Sequence, residues 1–333
     1  MKYNLFFIFI LITTLLKSQV PSTPYIVRRP ELIFNSMTLS VSGGQIAYDF
    51  RIANGGTTQV IECGFIYSYN TYYPNGDNDP NDQTFTITNP NVENGVISGT
   101  TSGITFLIAP YYFIPYVRNK HSIIYGSRVV LAPNWPTVTI GTKVWVAANL
   151  GASRVATSAT DTDSWGFKYQ WGRGTDGHQV PTSSYIDNTR SDNPGNGVFI
   201  RTRDGGSSNW RVNANTSLWT GVSGENNPCP SGWRIPIKAE WEAVVNDVIS
   251  QADSYNFTGN RAFSKSVLKI PTSQGRDRST AVVEINNVGN AQWFVQTSSG
   301  SNGMLIFSAG DGSYWRWDSG GEAYGVAVRC VQN

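Results

Sequence analysis

Asn227-Pro228-Cys229-Pro230-Ser231-Gly232-Trp233-Arg234-Ile235-Pro236 leads into the one segment of this chain with a clear helical pattern. The prolines around Cys229 set it in a turn, since proline fixes its own φ and keeps the preceding residue out of the helical region. From Lys238 to Ser250, residues Trp241, Val244, Val245, Val248 and Ile249 fall at i, i+3, i+4, i+7 and i+8, a single apolar stripe. Pro236 lies just ahead. Glu240 and Glu242 occupy the first turns, where the helix dipole favours negative charge. Beyond the helix the pattern is that of strands, expected around 281–285, 291–296, 304–308, 313–317 and 324–331.

Upstream, Thr137-Val138-Thr139-Ile140-Gly141-Thr142-Lys143-Val144-Trp145 reads as a hairpin around Gly141. Residues 151–228 are rich in Gly, Ser, Asn and Asp, with isolated aromatics at Trp165, Phe167, Tyr169, Trp171, Phe199, Trp210 and Trp219. Large rings scattered through loops are expected to pin those loops onto a core. Every tryptophan lies at or after Trp135, and Leu131-Ala132-Pro133-Asn134-Trp135-Pro136 carries two prolines that stiffen the chain and exclude regular pairing. A boundary is placed there, giving regions 24–132 and 136–333.

The first region reads as all strand. Gln45-Ile46-Ala47-Tyr48-Asp49-Phe50-Arg51-Ile52 puts Ile46, Tyr48, Phe50 and Ile52 on one face. Asn54-Gly55-Gly56 and Pro74-Asn75-Gly76-Asp77 mark turns, and further strands are expected at 84–88, 95–104, 111–119 and 123–131. Short strands at this spacing argue for a β-sandwich. The chain starts with Met1-Lys2, an apolar run from Leu5 to Leu16 broken only by two threonines, and Lys17-Ser18-Gln19. That is the layout of a secretory signal peptide over 1–18, cleaved near Ser18. The run is shorter than the roughly 20 residues that span a bilayer, no later stretch approaches a membrane span, and no cysteine stands near the cleavage point to take a lipid.

Composition agrees with an exported β protein. Charged residues are 14% of the chain, against a usual value of about 25%. Net charge is +2 with no dense Lys/Arg stripe, which argues against nucleic acid as a partner. Export permits disulfides. Cys63 alternates with apolar residues in Val60-Ile61-Glu62-Cys63-Gly64-Phe65-Ile66-Tyr67 and reads as a small buried hydrophobe. Joining Cys229 to Cys330 would stabilise by about 4–5 kcal/mol on the chain-entropy account, but three cysteines allow three pairings.

Gly64-Phe65-Ile66-Tyr67-Ser68, followed later by Tyr116-Val117-Arg118-Asn119 and Tyr125-Gly126-Ser127, resembles the fibronectin type III-like modules of exported Bacteroidetes proteins. In the second region four motifs occur in order: Val138-Thr139-Ile140-Gly141-Thr142-Lys143-Val144-Trp145-Val146-Ala147-Ala148-Asn149-Leu150; Tyr169-Gln170-Trp171-Gly172-Arg173; the 227–236 run with Glu240-Trp241; and Val328-Arg329-Cys330-Val331. Together they resemble the Fibrobacter succinogenes major paralogous domain. The resemblance implies a divergent C-type-lectin-like, α+β fold, a disulfide between Cys229 and Cys330, and exported proteins of Bacteroidetes and their relatives. Where that family usually carries a helix-capping Thr, this chain has Ile237.

No catalytic constellation stands out. His178, with Asp176 two residues away, lacks a nucleophile-elbow motif and reads as a solvated loop histidine. Asp187, Asp192, Asp204, Glu225 and Glu240 are glycosidase-type acids that nothing pairs. Formylglycine-generating enzymes share a related fold but use a reactive cysteine pair, whereas the cysteines of this region read as structural. Asp77, Asp79 and Asp82 form an acidic turn whose oxygens suit calcium, yet the spacing is not an EF-hand loop. The Glu-Pro-Asn or Gln-Pro-Asp and Trp-Asn-Asp triplets of calcium-dependent sugar-binding lectins do not occur in the chain. No cofactor is therefore expected, and calcium is the one metal considered. Tyr314-Trp315-Arg316-Trp317-Asp318, as a strand, would put Trp315 and Trp317 on one face; exposed, they would stack on sugars while Arg316 or Asp318 bonds hydroxyls.

The expectation is thus a β-rich, multidomain, exported protein: a fibronectin type III-like sandwich followed by a C-type-lectin-like domain with one helix. It would be a non-enzymatic module that recognises a polysaccharide or a surface protein at the cell surface, in the extracellular space or in the periplasm. A structural or adhesive surface component is the alternative, and a carbohydrate-active hydrolase comes third.

Overall fold

A computed structural model describes residues 33–42, 45–53, 59–69, 82–101, 104–120, 122–132, 135–187, 197–202, 209–213, 215, 217–250, 266–271, 273–283, 292–296, 304–308, 315–318 and 322–333. In 33–42, 247–250, 292–296, 304–308 and 315–318 only the backbone is described. The signal-peptide stretch 1–18 lies outside the described residues.

The first region holds β1 (Ile33–Ser42), β2 (Gln45–Ala53), β3 (Val60–Ser68), β4 (Gln83–Thr88), β5 (Val96–Thr100), β6 (Tyr111–Asn119), β7 (Ile123–Tyr125) and β8 (Val129–Leu131). One antiparallel sheet has the order β1-β2-β5; the other runs β4-β3-β6-β7, with β8 also on β6. The inner faces meet in a core of Ile46, Phe50, Ile52, Cys63, Phe65, Ile97, Phe113 and Val117, all buried. Phe65 stacks on Phe85 at 5.0 Å and meets Phe113 edge-on at 5.5 Å. Gly64 is required beneath this ladder, because a Cβ there would lie 1.9 Å from the Phe85 carbonyl oxygen. The strand expected over 95–104 stops at Thr100. Thr101 turns inward, where its Oγ1 accepts the Ile46 N–H at 3.0 Å. The single strand expected over 123–131 is two, both paired to β6.

The second region begins with the β9 (Thr137–Ile140) and β10 (Lys143–Val146) hairpin. Short strands follow: β11 (Tyr169–Gln170), β12 (Tyr185–Asp187), β13 (Phe199–Arg201) and β14 (Trp233–Arg234). Then come α1 (Lys238–Ser250), β15 (Gln292–Gln296), β16 (Met304–Ser308), β17 (Trp315–Asp318), β18 (Gly325–Val326) and β19 (Val331–Gln332). β10 lies between β9 and β19 in the sheet β14-β19-β10-β9, and α1 packs on it. Trp241 of the helix meets Trp145 of β10 at 5.0 Å, with Val244, Val245, Leu268, Ile270 and Val331 buried around them. β15-β16-β17 is an antiparallel meander, and β12–β13 is a parallel pair.

Two expected strands are not continuous. Over 281–283, the described part of the strand expected at 281–285, the chain makes an isolated bridge, Val283 to Arg276, after Ala281 turns at φ +57°. The run 324–331 divides into β18 and β19. Between them its carbonyls go to β10 and the loop after it: Cys330 O accepts Val146 N–H and Val328 O accepts Leu150 N–H, each at 2.9 Å. The protein is β-rich with a single α-helix among the described residues.

The buried core is continuous across the proline-rich junction. Ile108 donates its N–H to Ala152 O at 2.7 Å and accepts Gly151 N–H at 2.9 Å. Tyr69 packs on Phe167 at 4.9 Å. Gly151, at φ +80°, leaves room for that ring; a Cβ there would lie 2.2 Å from Phe167.

Candidate functional site

The sequence motifs that single out the second region turn inward. Cys229 and Cys330 form a disulfide with Cα atoms 5.9 Å apart, tying the last strand to the turn ahead of the helix. Arg329, beside it, is fully buried; its guanidinium donates to Asn149 Oδ1 at 2.9 Å, Leu268 O at 2.6 Å and Lys269 O at 3.4 Å. Gln170 binds three backbone groups, donating to Ile200 O and Ala323 O at 2.8 Å and accepting Ile200 N–H at 3.1 Å. Trp210 and Trp219 give their indole N–H groups to the carbonyls of Trp171 and Arg173, at 2.7 and 3.2 Å. The loop aromatics therefore pin loops, as their isolation in polar sequence implied.

His178 is not the solvated residue that its loop setting suggested. It is fully buried, its Nδ1–H donates to Asp176 Oδ1, and its Nε2 accepts Gln170 N–H at 3.0 Å. Burial, reinforced by the Arg173 charge, pushes the imidazole down to about 4, so it stays neutral near pH 7. Burial alone would raise the Asp176 carboxyl, but His178 and Arg173 hold it at about 2. Both ring nitrogens are taken by protein groups, and the cluster acts as a polar girder under β11. Loop sequence failed as a guide because this loop is folded beneath others, a burial that residue type alone does not reveal.

The candidate acids are dispersed. Glu240 is forked by Arg234 at 2.7 and 2.8 Å and accepts the Ile237 N–H at 2.9 Å. Glu225 is exposed, Asp187 is forked by Arg201, and Asp192 and Asp204 lie outside the described residues. Of the acidic turn, Asp77 and Asp79 lie outside the described residues, and Asp82 stands half-buried just ahead of β4. Among the described residues no group of three or more His, Cys, Asp or Glu side chains is placed to hold a metal. Cys63 is buried, and burial pushes its thiol up to about 12, away from reactivity.

Trp315, Arg316, Trp317 and Asp318 form β17, an edge strand of the meander, in register with Phe307, Ile306, Leu305 and Met304 of β16. The side chains of these four residues lie outside the described residues.

A feature that the sequence reading missed sits at β12–β13. The parallel register places Tyr185, Ile186 and Asp187 opposite Phe199, Ile200 and Arg201. Arg201 is buried; its guanidinium lies 3.6 Å from the Tyr185 ring centroid and forks to Asp187 at 2.5 and 2.7 Å. Tyr185 itself is 50% exposed. The signal was present as two apolar triplets ending in opposite charges, Tyr-Ile-Asp and Phe-Ile-Arg.

A comparison with curated proteins finds no match. Among solved structures, the chain is similar to one from Bacteroides uniformis provisionally described as a carbohydrate binding protein, at 13% identity and a TM-score of 0.22. The overlap covers 30% of this chain and 56% of that one, so the chain spans little more than half of its neighbour, and the score is too low to place the fold. The Fibrobacter succinogenes major domain matches residues 138–332, the hairpin through the last strand and more than half of the chain. The chain belongs to the Fibrobacter succinogenes major domain family.

Proposed function

We propose that this protein is an exported, non-enzymatic recognition module that binds polysaccharide outside the cytoplasm through its second region, with the first region, fibronectin type III-like, as its partner in display. The observation that carries the reading is β17: Trp315 and Trp317 stand at i and i+2, on the same face of the last strand of the meander. Several features support it. Gln170, Arg173 and Arg329 of the motifs are committed to internal bonds, so recognition falls to other residues at the surface. A Cys229–Cys330 disulfide suits an oxidising compartment. No helix among the described residues is long and apolar enough to cross a membrane. Asp187 and Glu240 are each held by an arginine, and His178 has both nitrogens engaged, which favours binding over hydrolysis.

The test is a polysaccharide binding screen of the folded, disulfide-bonded exported chain, with calcium and again with a chelator. We expect binding that survives the chelator and is abolished by Trp315→Ala with Trp317→Ala while the melting temperature holds. If the double variant unfolds, the tryptophans are core and this site is lost. A clean negative for the wild type would favour the structural or adhesive surface component.

A further inference from the structure

We propose that Tyr185, Arg201 and Asp187 form a second binding subsite, which takes an uncharged pyranose ring of a polysaccharide; it rests on the recognition reading above but on different residues. Arg201 is only 6% exposed, and its guanidinium is fixed by the fork to Asp187. That plate lies 3.6 Å from the Tyr185 centroid and covers one face of the ring. Since the residue remains 50% exposed, the surface it offers is the opposite face and the rim. The platform is therefore flat, amphipathic and already held in place, so a ligand need not order it.

The chemistry selects the ligand. A pyranose carries C–H bonds on its face and hydroxyls on its rim. Its face fits the open side of Tyr185. Its rim hydroxyls meet Asp187, whose side chain is 43% exposed and whose carboxylate can accept several hydrogen bonds. Arg201 and Asp187 cancel in charge, so the subsite offers no net attraction to acidic saccharides. A cationic partner is disfavoured too, because the π system of Tyr185 already faces a guanidinium. The parallel pairing of β12 and β13 keeps the three groups in register without any help from the ligand.

The experiment titrates the full exported chain with soluble β-glucan, xylan and mannan, and with polygalacturonate as the acidic control, at low and high salt. We expect a neutral polysaccharide to bind with little salt dependence. Tyr185→Ala should weaken it at least about tenfold, a change of about 1.4 kcal/mol, with the melting temperature unchanged, and Tyr185→Phe should stay within about threefold of wild type. Wild-type affinity in Tyr185→Ala would overturn the subsite, as would a preference for polygalacturonate that fades with salt. If Trp315→Ala with Trp317→Ala abolishes binding and Tyr185→Ala leaves the affinity at the wild-type value, the subsite falls and the recognition reading stands. If the wild type binds none of the polysaccharides, the recognition reading falls and takes the subsite with it.

Discussion

The two regions solve one problem, satisfying buried backbone, in different ways. In the first, strands of up to ten residues pair along their lengths, and the space between the sheets is left to rings such as Phe65, Phe113 and Tyr67. In the second, strands run two to five residues and long loops are buried, so many carbonyls have no ladder partner. Side chains supply the donors instead. Arg276 gives its guanidinium to Ser183 O and Ala281 O at 2.6 and 2.8 Å, Arg329 serves Leu268 and Lys269, and two tryptophans serve Trp171 and Arg173. The difference teaches that one core depends on volume and the other on geometry. Volume tolerates similar shapes, whereas a missing donor strands an acceptor at about 1–3 kcal/mol each.

The largest expected effect comes from cutting the cross-link that closes the second region. The two cysteines lie 101 residues apart in sequence, and a loop of that length is worth about 4–5 kcal/mol on the chain-entropy account. Cys229→Ala with Cys330→Ala should lower the urea midpoint followed by tryptophan fluorescence, a probe of the second region because every tryptophan but Trp135 lies in it and Trp135 packs on Trp233. Tyrosine absorbance of the first region should shift less. Coincident transitions would break the comparison and make the shared core around Ile108 and Phe167 a single cooperative unit.

The contrast between volume and geometry is sharpened by conservative swaps. Phe65→Leu keeps an apolar side chain in the sandwich and should cost about 1–2 kcal/mol. Arg329→Lys keeps the charge but loses the fork that reaches Asn149, Leu268 and Lys269 together, and should cost about 3 kcal/mol. Paired denaturation curves decide it; equal costs would mean that the arginine is replaceable bulk.

Legibility divided along the same line. Period-two alternation exposed β2 and β3 directly, because a half-buried strand writes its faces into every second residue, and β6 showed as an apolar run between turns. The helix was equally plain from its stripe, and its exposed and buried positions follow it at Trp241, Val244 and Val245. The buried polar network was not legible. Nothing local separates Arg329 from a surface residue, since its partner Asn149 lies 180 positions away; His178 has its partners Asp176 and Gln170 close in sequence, but the loops that bury it are not. The Tyr185 platform escaped for the same reason, because Asp187 and Arg201 meet only through a parallel register that the intervening loop conceals. The strand at 315–318 was anticipated, and the exposure of its tryptophans is a matter for the binding test.

Acid should separate the regions next. His178 has its folded pKa pushed down to about 4, against about 6.5 when unfolded. Between those values the unfolded chain takes a proton that the buried ring refuses, so stability is lost as pH falls from about 6.5 toward 4, at up to about 1.4 kcal/mol per pH unit. Asp176, held at about 2 against about 3.9 unfolded, extends the loss below pH 4 in the same direction. The second region should therefore soften on mild acidification, and His178→Gln should flatten the slope of its urea midpoint above pH 4. The described part of the first region buries no histidine and should change little over that window. An unaltered slope in the variant would remove His178 as the cause.

The smallest expected effect tests whether the second region has settled every helix-end group by side-chain donors and acceptors. At the start of α1 the position that usually carries a capping hydroxyl is Ile237, 45% exposed. Half of a capping box is nonetheless built: Glu240, three residues on, returns its carboxylate to the Ile237 N–H at 2.9 Å, and Arg234 holds that carboxylate in place. Burial alone would raise the Glu240 pKa, but Arg234 and the Ile237 N–H lower it, which keeps the acceptor charged at neutral pH. What is missing is the reciprocal oxygen for the N–H groups of the first turn. Ile237→Thr supplies it without disturbing buried packing and should stabilise the second region by about 1 kcal/mol. In Glu240→Gln the arginine clamp weakens, so the threonine should gain less there than in the wild-type background. An equal gain in both would show that the two halves of the box act independently, and that the arginine fixes the helix start by charge rather than by positioning Glu240.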